Sequence, residues 1–266
     1  MISIGEINRV ANKYQVPAET IEKDYIISWI LWSLSKSDII NYFIFYGGTA
    51  LKKIYFEDHR FSEDIDLISD KSFSKNQLLQ FLLGIEKIKE EANITVTIDE
   101  EKSQSMQSRE IMYLHYDGFE EIVGAPKEIK IDFNMNTTIY GESQLAGVIE
   151  SYSDLKDRTS RLNVMTANTI LAHKIGMLFD MNRDEPRDIY DIWFLLNRQQ
   201  QFEFSFEQIQ LIIKEKYSFK PTTKMIKDRF KLHQHWQIRL QKQIADLPKQ
   251  HIVIQEILHH LETADL

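Results

Sequence analysis

Alternating polar and apolar residues predict short strands in the first half of the chain. The clearest run is at 64–68, where Asp, Ile, Asp, Leu and Ile alternate, which indicates a strand with one polar and one buried face. An aromatic run before Gly47 and Gly48 is typical of a strand that ends in a tight turn. The strands predicted in this way are 41–46, 64–68, 94–98, 110–116 and 128–135.

Helical spacing of apolar residues predicts most of the remaining elements. Ser74 and Gln77 have the capping-box spacing, which opens a helix predicted to run to residue 92. Beyond residue 166 the strand signal nearly disappears, and helices are predicted at 166–181, 187–196, 205–216, 221–229, 233–245 and 251–262. We therefore expect an α+β fold, in which an α+β domain with N-terminal helices (1–160) precedes a helical domain (161–266).

Composition excludes several classes of protein. The 266 residues include no cysteine, which removes disulfides, cysteine-ligated metals and a thiol nucleophile. A hydrophobic content of 43% argues against disorder. No secretory signal and no apolar stretch long enough to cross a bilayer is visible, so a cytoplasmic protein without a membrane partner is expected.

Positive charge is concentrated near the C-terminus of a chain whose net charge is −8. Residues 214–242 hold nine basic and two acidic side chains. Steps of three and four residues predict that one helical face carries Lys220, Lys224, Lys227 and Lys231. Such a face could contact an RNA backbone, or it could be a solvated helical surface.

The Gly-Gly-Thr turn is the first candidate site. Gly47 and Gly48 permit a tight turn, and Thr49 is predicted as the N-cap of a helix over 49–56. The N-terminus of a helix favours an anion, and a triphosphate is the obvious candidate. A purely structural turn explains the same three residues.

Two acids on the predicted strand suggest a metal site. Asp64 and Asp66 are two residues apart, so both carboxylates project from the same face of the sheet. Such a pair is relieved by a hard cation such as Mg²⁺ or Mn²⁺, although two surface acids on an exposed strand are the alternative. Asp132 lies on the polar face of the predicted strand 128–135. If the two strands pair, three carboxylates could hold two metal ions and a nucleoside triphosphate (NTP).

Several motifs together resemble the AbiEii/AbiGii toxin family of nucleotidyltransferase-fold proteins. The strongest match is the run GGTAL followed by RFSEDIDL. IEKDYIISW, near residue 21, is similar to the helix that this family places before that strand. AHK and RDIYD, between residues 172 and 191, resemble its late lysine and Arg-Asp-x-x-Asp motifs. The resemblance implies a nucleotidyltransferase-like mixed sheet flanked by helices.

The resemblance also implies a role for each matching residue. Gly47, Gly48 and Thr49 would cradle phosphates, and Asp64 and Asp66, with Asp132 as a third acid, would bind metal. Lys174 would reach the triphosphate from the second half, and Asp188 would be the late catalytic acid. Further nucleotide-binding candidates are Arg60, Ser62 and Asp191. For Asp191 a structural Arg–Asp network is an equal alternative, and His173 is interpreted as structural.

The function implied is that of a metal-dependent nucleotidyltransferase, the toxin of a toxin–antitoxin or phage-defence pair. It would transfer a nucleoside monophosphate (NMP) from an NTP to a hydroxyl of an acceptor, with RNA, at the 3′ end of tRNA, as the leading acceptor. A cognate antitoxin is the expected partner. The alternatives are a transferase of the same fold that acts on a protein or small molecule, and a catalytically silent nucleotide-binding regulatory module.

Overall fold

The structure is a computed structural model, and it describes residues 1–123, 126–180, 183, 185–230 and 235–263, without the side chains of 80–83. The strands are β1 (Ile44–Tyr46), β2 (Asp64–Ile68), β3 (Val96–Met106), β4 (Arg109–Tyr116), β5 (Glu128–Asn134), β6 (Ser143–Gly147) and β7 (Arg161–Met165). The earlier helices are α1 (Ile4–Tyr14), α2 (Ala18–Leu34), α3 (Gly47–Ala50), α4 (Lys75–Leu83) and α5 (Lys87–Ala92). The later helices are α6 (Ala167–Met177), α7 (Pro186–Leu196), α8 (Phe206–Tyr217), α9 (Thr223–Lys227), α10 (Trp236–Leu240) and α11 (Gln250–Thr263).

One mixed sheet contains the seven strands of the described residues, in the order β3-β4-β5-β2-β1-β7-β6. At its centre β2 runs parallel to β5 and antiparallel to β1. β3 and β4 form an antiparallel hairpin in which Met106 pairs with Arg109 across a two-residue turn. The α+β class expected from the sequence is confirmed.

The chain divides into two compact units. The first contains Met1–Ile139 and Gln144–Val164, and it holds most of the sheet together with α1 to α5. The second contains Tyr140–Ser143 and Met165–Leu266, and it holds α6 to α11. None of the described helices is both long and apolar enough to span a bilayer.

Helix α2 is buried around its whole circumference, which its sequence explains. Its apolar residues occupy every face, and Tyr25 and Trp29 are among the largest fully buried side chains. Two acids of this helix, Glu22 and Asp24, are buried as well, and each has a partner. Glu22 accepts a hydrogen bond from the backbone N–H of Phe119 at 2.6 Å.

A buried ion pair joins α2 to the chain just after the Gly-Gly-Thr turn. Lys53 lies on a single π-helical turn, Leu51–Tyr55, and its ammonium donates to Asp24 Oδ2 at 2.6 Å and to Ser28 Oγ at 2.7 Å. The Tyr152 hydroxyl donates to the same carboxylate at 2.7 Å. Both charged side chains are less than 5% exposed, so these hydrogen bonds must offset the cost of desolvation.

Several predicted elements differ from the structure. Residues 38–42 form a 3-10 turn, and β1 begins only at Ile44, because Asn41 and Tyr42 belong to that turn. The helix predicted over 74–92 is interrupted at Gly84, where glycine disfavours a continuous helix. β6 and β7 were not predicted; β6 is a largely exposed strand and lacks an apolar face.

The lysine-rich face predicted near the C-terminus is not a single helical stripe. α9 spans only Thr223–Lys227, so it includes Lys224 and Lys227, whereas Lys220 precedes the N-cap Thr222. Pro221 cannot donate a backbone hydrogen bond and separates Lys220 from this helix. Lys231 lies outside the described residues.

The buried Lys53–Asp24 pair predicts a large cost for removing one partner. Lys53→Met leaves an uncompensated buried carboxylate and should lower the free energy of unfolding by about 3–5 kcal/mol, measured by denaturant titration. The control is Lys102→Met, which breaks a contact of the same 2.6 Å length to Glu128, but in a side chain that is 44% exposed. That variant should change stability little. Equal losses in the two variants would contradict the role given to burial.

Candidate active site

The polar face of β2 carries the predicted acid pair. Asp64 and Asp66 are only partly covered, whereas Ile65 and Leu67 on the opposite face are buried. The period of two in a strand produces this division. The Asp64 side chain is 33% exposed, so its carboxylate remains accessible to solvent and to a ligand.

The neighbouring acid Asp66 leaves no room for a side chain at Gly47. Its φ of +83° is strained for any residue with a side chain, and a Cβ there would lie 2.5 Å from Asp66 Oδ2. The turn therefore brings the backbone against the carboxylate of Asp66. Tyr46, just before it, pairs with Asp66 across the antiparallel β1–β2 ladder.

Gly48 is covered by residues that follow the turn. A Cβ at Gly48 would lie 2.6 Å from Arg60 Nη2 and 3.4 Å from Ser62 Oγ. Arg60 is only 4% exposed, and its Nη1 donates to the carbonyl of Phe61 at 3.2 Å. The structure thus brings both nucleotide-binding candidates of this loop to the second glycine.

Thr49 has a different role from the predicted N-cap. The helical segment begins two residues earlier, at Gly47, with Tyr46 as its N-cap and no side-chain capping bond. The Thr49 hydroxyl donates instead to the backbone carbonyl of Asp64, and the side chain is buried. Thr49 therefore ties the glycine turn to the first residue of β2.

Asp132 lies directly beside Asp66, because β2 and β5 pair in parallel with these two residues in register. The adjacency on which a three-acid site depends is therefore present. The Asp132 carboxylate, however, is 3% exposed and is held by Arg109 of β4. Arg109 Nε donates to Oδ1 at 2.7 Å and Nη2 donates to Oδ2, which makes a bidentate pair. The hydrogen bonds that Arg109 donates to Asp132 raise the pKa of the guanidinium.

Lys130 and Tyr46 complete this face of the sheet. Lys130 Nζ lies 3.4 Å from Asp64 Oδ2 and 3.8 Å from Asp132 Oδ2, so it bridges two of the acids. The Tyr46 hydroxyl accepts a hydrogen bond from Asn134 Nδ2 at 2.8 Å. Burial raises the pKa of the Tyr46 phenol, and the charges of Asp66 and Asp132 raise it further, so the phenol stays protonated.

A second cluster of charges lies within the helical unit. Lys174 on α6 lies 2.6 Å from Asp188 Oδ1 and 2.7 Å from Asp191 Oδ2, and both acids are on the first turns of α7. Arg183 forms a further ion pair with Asp188. Burial would raise the pKa of Asp188, but Lys174 and Arg183 hold it below its usual range. The late candidates Lys174, Asp188 and Asp191 are thus brought together as a buried cluster, with Arg183 at its more exposed side.

Sequence reasoning missed Arg109, Lys130 and Arg183. The sequence does indicate Lys130, since it lies two residues before Asp132 on the same polar side of β5. Arg109 contacts Asp132 only because β4 pairs with β5, and no local pattern specifies that pairing. His173, interpreted as structural, is buried, and its Nε2 donates to the Tyr140 carbonyl at 3.1 Å.

The acid face fits a divalent cation through two residues. Asp64 and Asp66 offer carboxylates on one side of the strand, and Mg²⁺ is commonly held by one or two carboxylates plus substrate phosphates. Among the described residues, no group of three or more His, Cys, Asp or Glu side chains is arranged to hold a metal ion. Asp64 and Asp66 are therefore the candidate donors for a cation, whereas both oxygens of Asp132 accept hydrogen bonds from Arg109.

Comparison with known proteins identifies the family. The sequence matches the family described as nucleotidyl transferase AbiEii toxin, type IV TA system, over residues 29–260. The chain belongs to the AbiEii family. It is thereby a member of a family of nucleotidyltransferase toxins of type IV toxin–antitoxin systems, and an antitoxin is its implied partner. No curated protein matches this AbiEii chain.

Solved structures confirm the fold of this AbiEii chain. The nucleotidyltransferase toxin MenT4 from Mycobacterium tuberculosis is similar, with a TM-score of 0.70 and 14% identity; the match covers 100% of this chain and 91% of MenT4. The crystal structure of JHP933 from Helicobacter pylori is similar with a TM-score of 0.59 and 14% identity, covering 94% and 93% of the two chains. At these identities the likeness establishes the fold.

The backbone conformation of Gly47 predicts that a side chain at this position would lower the stability of this AbiEii chain. Gly47→Ala should lower the free energy of unfolding by about 1–2 kcal/mol, because a side chain is strained at its positive φ. It should also displace the Asp66 carboxylate. Gly5→Ala is the control, since a Cβ in α1 would meet its nearest atom at 3.6 Å, and alanine favours a helix. Denaturant titration measures both variants, and a neutral Gly47→Ala would contradict the fit of Asp66 against the turn.

His173 predicts a dependence of stability on pH. Burial lowers its pKa from 6.5 to about 3, and the charge of Lys216 acts in the same direction. The unfolded chain therefore takes up a proton that the folded chain excludes, so stability present above pH 6.5 is lost as the pH falls towards 3. His173→Gln should remove about 2–3 kcal/mol of the loss between roughly pH 6.5 and 4.5.

The measurement for His173 is the free energy of unfolding at several pH values, compared between wild type and variant. His251→Gln, at an exposed position of α11, is the control and should leave the wild-type slope unchanged. If the free energy of unfolding depends on pH in the same way in wild type and in His173→Gln, then His173 is protonated as readily in the folded chain as in the unfolded chain.

Proposed function

We propose that this AbiEii-family chain is a metal-dependent nucleotidyltransferase that transfers an NMP from an NTP to a hydroxyl of an RNA acceptor, at the 3′ end of tRNA. Pyrophosphate is the second product. Mg²⁺ or Mn²⁺ is the cofactor, and the activity makes the protein the toxin of its pair. The transferase class follows from the family, and the acceptor, NTP and metal are the proposal.

One observation carries the proposal: a partly exposed pair of acids lies against a glycine turn. Asp64 and Asp66 share the polar face of β2, and the backbone at Gly47 packs against the Asp66 carboxylate. A cation bound by the pair would lie beside the first turn of the helical segment that begins at Gly47. The N–H groups of such a turn favour anions, so the cation and the turn would face the same triphosphate.

Within the first unit, each proposed residue has a distinct task. Asp64 and Asp66 would hold the cation, which supplies charge neutralisation at the transferred phosphate. Gly47 and Gly48 would allow the close approach of phosphates, and Thr49 would fix the turn to β2. Arg60 and Ser62, which lie over Gly48, would contact phosphate oxygens; Arg60 is already desolvated, which strengthens such a contact.

The late cluster is proposed to serve the same reaction. Lys174 would bind triphosphate, Asp188 would act as the late acid and Asp191 would assist in nucleotide binding. Two carboxylates hold the Lys174 ammonium at 2.6 Å and 2.7 Å, so its position is fixed before a ligand arrives. Preorganised charge is the usual source of transition-state stabilisation in phosphoryl transfer.

The RNA acceptor is supported by charge. The tract 214–242 has nine basic and two acidic residues in a chain that is otherwise acidic. Lys224 and Lys227 lie on α9 three residues apart, which gives one helical face two cations. Phosphate contacts of this kind supply affinity without reading sequence.

The test is incubation of the full chain with each α-labelled NTP, Mg²⁺ and total RNA, followed by separation of RNA from protein. Label on RNA supports the proposal, and mapping it to the tRNA 3′ end supports its finer part. Label on protein would replace the RNA acceptor with a protein acceptor, and label on neither would favour a silent nucleotide-binding module.

The acid pair predicts the outcome of substitution. Asp64→Asn and Asp66→Asn should each reduce NMP transfer by at least ~100-fold, because charge stabilisation at the phosphate is commonly the largest catalytic term. Both variants should fold, since they relieve repulsion between like charges. Glu100→Gln, an acid on β3 that is 68% exposed, is the control and should retain transfer. Near-wild-type transfer in either Asp variant would refute the metal role of the pair.

A further inference from the structure

Asp132 differs from the other acids of this face because both of its carboxylate oxygens already accept hydrogen bonds from Arg109. The side chain is 3% exposed, and Asn134 Nδ2 lies 3.4 Å from Oδ1. Lys130 Nζ is a further cation at 3.8 Å from Oδ2. A metal ion at Asp132 would have to displace a bidentate guanidinium and approach next to a second cation.

Arg109 is placed differently from the acid that holds it. Its side chain is 42% exposed, whereas Asp132 is buried beneath it. Asp132 engages only Nε and one proton of Nη2, and a guanidinium has five N–H donors in a fixed plane. The Nη1 edge and the outer proton of Nη2 are therefore not used by Asp132.

The sheet register places this arginine next to the acid pair. Asp66 pairs with Asp132, and Arg109 begins the neighbouring strand, where it pairs with Asn134 and reaches diagonally to Asp132. The charge of Asp66 is close enough to raise the pKa of Arg109. A phosphate that shares a cation with Asp64 and Asp66 would thus lie beside the Arg109 guanidinium.

We propose that Asp132 anchors Arg109 rather than ligating metal, and that Arg109, fixed in this way, binds a phosphate group of the substrate beside the Asp64–Asp66 pair. The inference rests on the proposed function for the identity of that substrate as a nucleotide. An arginine whose fork is already oriented loses less side-chain entropy on binding an oxyanion. Asp132 is then a positioning residue, and one cation is held by two carboxylates of the chain.

Mn²⁺ binding to the full chain, followed by electron paramagnetic resonance of the free ion, tests the first half. Asp132→Asn alone is not informative, because it strands the Arg109 charge near the metal and weakens binding in any case. The double variant Arg109→Gln/Asp132→Asn removes both charges and keeps amides able to bond with each other. It should bind Mn²⁺ within about threefold of wild type, whereas Asp66→Asn should weaken binding at least ~10-fold.

A single variant sharpens the comparison. Arg109→Gln alone leaves the Asp132 charge without its partner and should therefore bind Mn²⁺ at least as tightly as wild type. If the double variant loses Mn²⁺ affinity as Asp66→Asn does, Asp132 is a ligand and the proposal is wrong. Circular dichroism checks folding; should the double variant not fold, the apolar pair Arg109→Met/Asp132→Leu replaces it, since apolar replacement of both partners of a buried pair is often tolerated.

The second half is tested with inorganic tripolyphosphate in the absence of divalent cations. Wild type should bind it at least about tenfold more tightly than Arg109→Gln/Asp132→Asn, because charge-assisted hydrogen bonds are lost. Arg109→Lys keeps the charge but not the fork, and should fall between the two. Equal affinity of wild type and the double variant would refute the phosphate role of Arg109.

These measurements separate the inference from the proposed function. Neither requires a transfer reaction or a known acceptor, so they can succeed even if no NTP labels RNA. Conversely, the double variant could transfer NMP at the same rate as wild type. The proposed function would then stand, and Arg109 would have no part in it.

Discussion

Repulsion between neighbouring carboxylates is the constraint on which the first unit's site depends. The parallel pairing of β2 with β5 sets Asp66 beside Asp132, and the period of the strand adds Asp64 to the same face. Each of the three acids has a different neighbour. Asp132 is neutralised by Arg109, Asp64 approaches Lys130, and Asp66 lies against the backbone at Gly47. The side chains of Asp64 and Asp66 are partly exposed, whereas that of Asp132 is buried.

Neighbouring carboxylates also occur in the helical unit, where their partners are different. There Asp188 and Asp191 share the buried Lys174, and Arg183, whose side chain is 41% exposed, adds a second cation at Asp188. Removing one partner of the Lys174–Asp188–Asp191 cluster would strand a buried charge. The two clusters therefore differ in exposure: the side chains of Asp64 and Asp66 are partly exposed, whereas those of Lys174, Asp188 and Asp191 are buried.

The sequence predicts those features that depend on local periodicity. Asp64 and Asp66 could be placed on one face because side chains alternate along a strand, and the burial of Ile65 and Leu67 follows the same rule. The donation from Thr49 to the Asp64 carbonyl depends on tertiary packing, which local periodicity does not describe. Roles within the site remain predictions, since they depend on ligands that periodicity does not describe.

The position of Arg109 at the start of β4, in the β3–β4 hairpin, has a consequence for how the site can change. Arg109 follows a turn of only two residues and faces the acids because β4 holds one particular register against β5. A slip of one residue would turn Arg109 to the opposite face and present Glu110 beside Asp132, reversing the local charge. A shift in the pairing of β4 with β5 would therefore change the electrostatics of the site even where every acid of the site is kept.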